Sequence, residues 1–201
     1  MAANSDVINQ ALVHLGITEK IADINSTDSN EAEAIKRVYD NALAEVLREV
    51  DWSFARKAQT LALLSAVPLI KWQYQYSRPD DCIRFIRIDS GAPVDDEKSA
   101  VPFEEGWSEL GPVILTNQPD AVGEFIVLVD DPTHWDALFT RMFALKIAVL
   151  TAPAVGRGDP FKITERCEFQ YEKAKRKAVI AMRRERRGGP RPDSPMITER
   201  N

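Results

Sequence analysis

The chain has 201 residues, of which 44% are hydrophobic and 28% are charged, so it has enough apolar side chains for a folded core. Its two cysteines, Cys82 and Cys167, form no CxxC pair, and only His14 and His134 are histidines, which argues against zinc ribbons, haem attachment and a disulfide scaffold. We expect an intracellular chain without metal or cofactor. The N-terminus lacks the pattern of a signal peptide, and no apolar run approaching roughly 18 residues is evident, so neither secretion nor membrane insertion is expected.

Basic residues are concentrated near the C-terminus. Between Tyr171 and Arg191, nine basic residues stand against two acidic ones, which gives this segment a net charge of +7. Because the whole chain carries −5, the remaining residues carry −12. This separation of charge predicts that the C-terminal segment makes an electrostatic contact with a partner.

Two helices are predicted in the N-terminal quarter of the chain. Apolar residues at helical spacing within residues 5–15 indicate a short amphipathic helix, which Gly16 ends. A longer apolar stripe from Ile35 to Val50 indicates a second helix. Asp28 and Glu31 have the spacing of a capping box, so this helix is expected to begin there.

The middle third of the chain predicts β-strands. The segments that are β-branched or alternate bulky with small side chains are Trp52–Ala55, Trp72–Tyr76, Ile83–Ile88, Val113–Thr116 and Phe125–Val129. Their connections are too short or irregular for crossover helices, so the strands are expected to be mostly antiparallel. Glycines and prolines within residues 89–111 predict a long irregular loop.

Helical spacing returns after the β region. Asp131 followed by Pro132 predicts a helix start, and a broad apolar stripe then predicts a buried helix that Pro153 and the Gly156-Arg157-Gly158 loop end. A last helix is predicted from about Phe161 to about Arg187, which corresponds to roughly 40 Å at 1.5 Å per residue. Because its apolar seam is thin, the end of this helix is expected to project beyond the core.

Together these predictions give an α+β fold. Residues 1–51 and 131–187 form a helical bundle, and residues 52–130 form a β-rich domain inserted into it. Glycine and proline prevent residues 188–195 from continuing the last helix. Residues 188–201 are therefore expected to be an extended or disordered docking tail in isolation.

No group of residues predicts catalysis. His14 and His134 each have a carboxylate nearby in sequence, but a lone histidine near a helix end is usually a surface or capping residue. Adjacent carboxylates serve some hydrolases as acid and base, yet they more often lie on surface loops; the pairs are Asp80/Asp81, Asp95/Asp96, Glu104/Glu105 and Asp130/Asp131. The cysteines are expected to be core residues, and no phosphate-binding glycine motif is present. We predict that the chain is not an enzyme.

Two features are compatible with nucleic-acid binding. Trp72, Tyr74 and Tyr76 share one face of a predicted strand, where aromatic rings can stack on bases, although core packing is the favoured interpretation. The arginine cluster within residues 183–187 is the stronger signal. The charge of −12 on the rest of the chain would repel a duplex, so a basic arm that binds a partner protein fits better.

The order of the motifs resembles the head-to-tail adaptors of short-tailed bacteriophages, the tail tubular protein A family. The resemblance covers roughly residues 3–180, and its segments are the Leu15-Gly16 helix end, EAEAIKRVYDNALAEVLREVDWSFARK, YSRPDDCIRFIRI and VDDPTHWDALFTRMFALKIA before a long charged helix. It depends most on Trp52–Ala55, on Tyr76 with Pro79–Arg84, and on Trp135–Phe139. None of these is a catalytic motif, so the specificity comes from order and spacing.

The resemblance implies a structural role in the virion. Members of the family form a ring, usually of twelve copies, beneath the portal protein, and the ring receives the tail nozzle or tail tube. The ring closes the DNA-filled head and continues the channel through which the genomic double-stranded DNA leaves, without sequence-specific binding. For this chain the resemblance implies assembly in the host cytoplasm, location in the phage neck and no membrane anchor.

Portal docking is assigned by the resemblance to the last helix and the tail. The implied docking residues are Lys175, Arg176, Arg183, Arg184, Arg186, Arg187, Arg191, Met196 and Ile197. The loop-rich residues 89–120 are expected to face the tail. Two alternatives stay open: a peptidoglycan-degrading hydrolase associated with the tail, and a nucleic-acid-binding protein that uses the basic C-terminal helix.

Overall fold

The computed structural model describes residues 3–22, 29–66, 68, 71–91, 100–156 and 158–186, and within them the chain adopts the predicted α+β fold. The helices are α1 (Ala3–His14), α2 (Asn30–Glu49), α3 (Ala137–Val155) and α4 (Pro160–Arg186). The strands are β1 (Arg56–Thr60), β2 (Tyr74–Ser77), β3 (Cys82–Asp89), β4 (Phe103–Ser108), β5 (Gly111–Thr116) and β6 (Val122–Val127). The predicted tail, residues 188–201, lies outside the described residues.

The protein is built in three layers: the helices, an inner sheet packed against them, and an outer sheet packed against the inner one. The inner sheet has the strand order β1-β6-β3 and the outer sheet β2-β5-β4. The strand pairs in both sheets are antiparallel, as predicted. Strand β6 joins the layers, because Ile126 packs among the helices while its neighbour Phe125 packs toward the outer sheet.

Two hydrophobic clusters correspond to the two contacts between layers. The larger cluster lies among the helices and the near face of the inner sheet. In it the Trp52 ring meets the Phe139 ring edge to face, with ring centroids 5.2 Å apart. The smaller cluster lies between the sheets, where Phe85 stacks on Phe125 at 6.4 Å. The inner sheet is therefore covered on both faces.

Strand β3 departs from the alternation expected of a strand. Its residues that pack toward the outer sheet are spaced by three: Cys82, Phe85 and Ile88. The pairing of β3 with β6 shifts register after Cys82 and again after Phe85, and each shift adds one residue to β3, as a β-bulge does. The two shifts keep all three side chains in the smaller cluster.

The prediction of a strand at Trp52–Ala55 is wrong. Residues Ser53–Ala55 form a short 3₁₀ helix instead. Trp52 is fully buried in the larger cluster, and its indole Nε1 donates a hydrogen bond to the carbonyl of Val46 at 3.0 Å. The bulky side chains that suggested a strand belong to the helical core.

Two strands were not predicted from the sequence. Strand β1 follows the 3₁₀ helix directly, and strand β4 lies within the region that was predicted to be a loop, residues 89–111. In β4 only Phe103 reaches the smaller cluster, where it packs edge to face on Phe85 at 5.0 Å. Because the side chains that follow Phe103 in β4 are half-buried or exposed, this strand carries little hydrophobic signal.

The start of α2 differs slightly from the prediction. Ser29 is the N-cap, and its Oγ accepts a hydrogen bond from the backbone N–H of Ala32 at 3.1 Å. The predicted cap, Asp28, lies outside the described residues.

The start of α3 was predicted too early. Asp131 and Pro132 begin a separate 3₁₀ helix, Pro132–His134, and Asp131 caps it. The N-cap of α3 itself is Asp136, whose carboxylate accepts a hydrogen bond from the backbone N–H of Leu138 at 2.7 Å. The same capping chemistry occurs twice within a few residues, and the sequence pattern did not distinguish the two sites.

The predicted end of α3 is confirmed at Gly156: the helix continues through Pro153 to Val155, and Gly156 is its C-cap. A proline close to a helix end removes only one backbone hydrogen bond, and the N–H of Gly156 still donates to the carbonyl of Ala152 at 3.0 Å. Contrary to the expectation from the sequence, α3 is long and apolar enough to cross a membrane; half of its apolar window is buried inside the protein. Core helices of folded domains share this composition.

Helix α4 begins at Pro160, within one residue of the predicted start, and continues to Arg186, the last residue that the structure describes. The Asp159 carboxylate accepts a hydrogen bond from the backbone N–H of Phe161 at 3.1 Å and so caps the first turn. The seam that faces the core continues to Met182, which is only 3% exposed. The residues that follow it, Arg183, Arg184 and Glu185, are exposed.

Candidate interaction surfaces

The environment of His14 and Cys167 is that of a packed helix contact. Burial and the positive charges of Arg141 and Arg166 lower the pKa of His14. The Cys167 thiol lies 3.8 Å from the backbone carbonyl oxygen of His14, and burial raises the pKa of that thiol. A thiol that stays protonated is a poor nucleophile.

His134 has a different, open environment. It is exposed on the 3₁₀ helix before α3, and its Nε2 lies 3.9 Å from a carboxylate oxygen of Asp131. Hydrogen bonds from Thr133 lower the pKa of Asp131. Among the residues that the structure describes, no group of three or more His, Cys, Asp or Glu side chains is placed to hold a metal ion.

The paired carboxylates form surface ion pairs. Glu104 lies 3.0 Å from the Lys71 ammonium and accepts a hydrogen bond from the Trp72 indole at 3.1 Å. These contacts lower the pKa of Glu104, whereas the general acid of a hydrolase requires a raised pKa. Asp81 pairs with Lys57 at 2.7 Å. Asp95 and Asp96 lie outside the described residues.

Two of the three aromatic residues of the predicted base-stacking face, Tyr74 and Tyr76, pack in the core. Tyr76 is buried between the sheets, and its hydroxyl donates a hydrogen bond to the carbonyl of Gln118 at 2.9 Å. Tyr74 is half-buried beside it, and Trp72 precedes the strand. The favoured interpretation of the Tyr76 ring as a core residue is confirmed.

The residues assigned to portal docking have different environments. Lys175 is half-buried, and its Nζ lies 2.6 Å from a carboxylate oxygen of Glu49 on α2; this contact raises the pKa of Lys175. Three arginines are exposed along α4, and a fourth is its last residue: Arg176, Arg183, Arg184 and Arg186. The other assigned residues lie outside the described part of the chain: Arg187, Arg191, Met196 and Ile197.

The solvent side of α4 carries a continuous stripe of exposed side chains at alternating spacings of four and three. We call these residues the α4 stripe: Lys162, Arg166, Phe169, Lys173, Arg176, Ile180 and Arg183. This spacing places them on one face of the helix. Five of the seven are basic and none is acidic, while Phe169 and Ile180 are 71% and 52% exposed. Exposed apolar side chains among cations are typical of a binding surface.

The hairpin of β4 and β5 carries a second exposed surface. Trp107 is 81% exposed and Leu110 is 74% exposed. Both line one groove of about 840 Å³ together with Glu104 and Glu109. We call these four residues the hairpin patch. Large aromatic side chains of this kind are frequent anchors of protein interfaces.

Comparison with known proteins gives no further assignment: no protein-family model matches the chain, and no curated protein matches it.

Both surfaces were missed from the sequence, although each leaves a signal there. The α4 stripe is visible as the alternating spacing of four and three, but the alanines of the buried seam, such as Ala174 and Ala178, were followed instead. The hairpin patch is signalled by Gly111, whose φ of 114° suits the turn between β4 and β5. Exposure of Trp107 itself cannot be read from spacing, because it depends on which face the outer sheet leaves uncovered.

Proposed function

We propose that this chain is a head-to-tail adaptor of a short-tailed bacteriophage, and that it forms a ring between the portal and the tail nozzle or tube. The proposal is carried by the position of the basic residues. Core packing along α4 stops at Met182, and the exposed Arg183 and Arg184 follow at once. The order of sequence motifs, which resembles the tail tubular protein A family, supports the same function.

In this proposal the end of α4 and the segment after it are the portal-binding arm. Arginine binds carboxylates through two parallel hydrogen bonds, and clustered charge accelerates encounter with an acidic surface. The arm carries its charge on a helix fixed to the bundle by buried residues such as Ala178 and Met182. The rest of the chain is acidic, and an acidic channel wall repels DNA so that a duplex slides without sticking.

The test is charge reversal of the arm. We expect the combined substitution of Arg183, Arg184, Arg186 and Arg187 by Glu to leave the fold intact and to weaken attachment to purified portal rings by tenfold or more, because loss of about 1.4 kcal/mol already gives a factor of ten. Attachment is measured by sedimentation and by electron microscopy of the mixed sample. Circular dichroism and thermal unfolding report the fold.

A control variant carries the same change of charge away from the arm. Its four substitutions by Glu are at the exposed positions Lys20, Lys36, Arg37 and Lys57. We expect this variant to attach to portal rings nearly as well as the unmodified chain. Equal attachment of the arm variant at physiological salt would show that the arginines are only a solvated helix end. Salt-dependent DNA binding that disappears when the residues after Met182 are deleted would favour the nucleic-acid-binding alternative.

A further inference from the structure

The two exposed surfaces of this chain are complementary in charge and similar in apolar content. The α4 stripe combines five basic side chains with Phe169 and Ile180. The hairpin that carries the hairpin patch has three acidic residues and no basic one between Phe103 and Thr116, and it exposes Trp107 and Leu110. Each surface therefore carries the charge that the other lacks, and both expose apolar side chains.

We infer that the hairpin patch of one copy docks on the α4 stripe of the next copy, between Arg166 and Ile180. This inference rests on the proposed function, since a ring of identical copies requires an interface between two different surfaces. A head-to-tail contact that closes on rotation produces such a ring, whereas a contact between two identical patches produces a dimer.

Both surfaces carry charged side chains that are available to a neighbouring copy. Lys173 and Arg176 form no ion pair with a described residue, and Glu109 likewise has no partner among the described side chains. Glu104 is already paired with Lys71, so Glu109 is the acidic residue of the patch that is available to a neighbouring copy. The expected ion pairs therefore join Glu109 with Lys173 or Arg176.

A protein surface suits the α4 stripe better than a nucleic acid does. Basic residues alone neutralise phosphates, but Phe169 and Ile180 lie between the basic residues of the stripe, where a phosphate backbone offers no apolar partner. They are eleven residues apart, which is roughly 16 Å along a helix, and a six-residue strand spans about 20 Å. The hairpin is therefore long enough to cover both apolar residues.

Two segments of α4 then have different roles. Residues Arg166 to Ile180 bind the neighbouring copy, and the basic residues from Arg183 onwards remain for the portal. Mutations in the two segments should then have different effects: changes in the first prevent self-association, and changes in the second prevent attachment of copies that still associate.

The experiment is site-directed crosslinking of the full chain. Copies that carry both Leu110→Cys and Phe169→Cys are treated with a short bismaleimide linker, once on portal rings and once in solution at concentrations where the chain associates. The native Cys82 and Cys167 are buried, and the unmodified chain controls for their reactivity. We expect a ladder of linked copies in steps of one chain mass, 22.6 kDa. The control variant, Leu110→Cys with Lys36→Cys on the exposed face of α2, should give no ladder.

A charge exchange provides the second measurement. We expect Glu109→Lys and Lys173→Glu each to weaken self-association by severalfold, and the combined variant to recover most of the loss. We expect Trp107→Ser to weaken self-association by about tenfold or more. These positions are exposed, so the variants should fold, and circular dichroism checks this.

The outcomes distinguish the inference from the proposed function. Rings on the portal without the crosslinked ladder overturn the inference and leave the adaptor function standing. A ladder in solution without attachment to portals supports the inference and contradicts the adaptor function. Absence of the ladder in both samples overturns the inference.

Discussion

At the level of single residues, a hydrogen bond at the end of α1 links this helix to α4. The guanidinium of Arg166 donates a hydrogen bond to the backbone carbonyl of His14 at 2.7 Å and satisfies one of the last carbonyls of the helix. Arg166 and Arg141 also place positive charge near the His14 imidazole, and together with burial they lower its pKa below the usual 6.5. Protonation of His14 is therefore unfavourable in the folded state.

This environment predicts a dependence of stability on pH. Below pH 6.5 the unfolded chain takes up a proton on His14 that the folded chain resists, so the free energy of unfolding falls as the pH drops through this value. His14→Gln should remove that contribution and give a shallower loss between pH 7.5 and pH 5.5. Urea unfolding of both proteins at the two pH values measures the difference, and His134→Gln, at an exposed position, is the matched control. Identical slopes for His14→Gln and the unmodified chain would contradict the assignment.

The ion pair between Lys175 and Glu49 shows what residue patterns could not predict. The two residues are far apart in the chain, and only the packing of α4 against α2 brings their charged atoms to 2.6 Å. Burial and the Glu49 charge raise the pKa of the neighbouring Tyr171 as well. Sequence spacing identified Lys175 as basic and helical, but its partner is set by tertiary structure.

At the level of elements, strand β6 is central to the inner sheet, and Gly123 is placed where no side chain fits. A Cβ atom at this position would lie 2.7 Å from Cε2 of Phe85 and 2.9 Å from Cδ2 of Leu61. Both neighbours belong to the cluster between the sheets. The packing of Phe85 and Leu61 over β6 therefore depends on a residue without a side chain.

We expect Gly123→Ala to destabilise the protein by about 1–3 kcal/mol, the usual range for adding atoms to a packed core. The matched control is Gly106→Ala on β4, where the nearest atom, Cδ1 of Leu115, would lie at an ordinary 3.4 Å. The free energy of unfolding in urea distinguishes the two. If both variants unfolded at the same urea concentration, the packing around Gly123 would have to be looser than the structure indicates.

How far the elements could be predicted depended on whether their signals are local. The start of α4 was predicted to within one residue because the Asp159-Pro160 signal is encoded in adjacent residues. The antiparallel pairing of the β region followed from its short connections. Strand β4 was missed because Phe103 is its only side chain that packs into a hydrophobic cluster. Trp52 was assigned to a strand because its burial among the helices depends on tertiary structure. The α+β class could thus be predicted, but the three-layer order could not.

At the level of the whole molecule, the core ends before the described chain does. Met182 is buried, and the exposed residues 183–185 follow it. Stability and docking are therefore expected to depend on different parts of the C-terminal region.

Two truncations test this separation. A chain that ends at Arg186 should unfold within about 2 °C of the full chain, since it keeps the buried seam of α4 as far as Met182, and changes away from the core alter stability by about 0.5 kcal/mol or less. A chain that ends at Arg176 loses the buried Ala178 and Met182 and should be destabilised by roughly 2–5 kcal/mol. Thermal unfolding followed by circular dichroism measures both. A large destabilisation of the longer chain would show that the segment after Arg186 contributes to the fold.

The insertion of the β region between α2 and α3 has a consequence for synthesis. Helices α1 and α2 both pack against α3, yet 87 residues separate Glu49 from Ala137. At about 5–20 residues per second, a ribosome takes roughly 5–15 s to produce them. Until then, apolar side chains of α2 such as Leu43 and Leu47 have no α3 to cover them. During this interval the first two helices of the nascent chain lack the helix that covers their apolar faces in the folded protein.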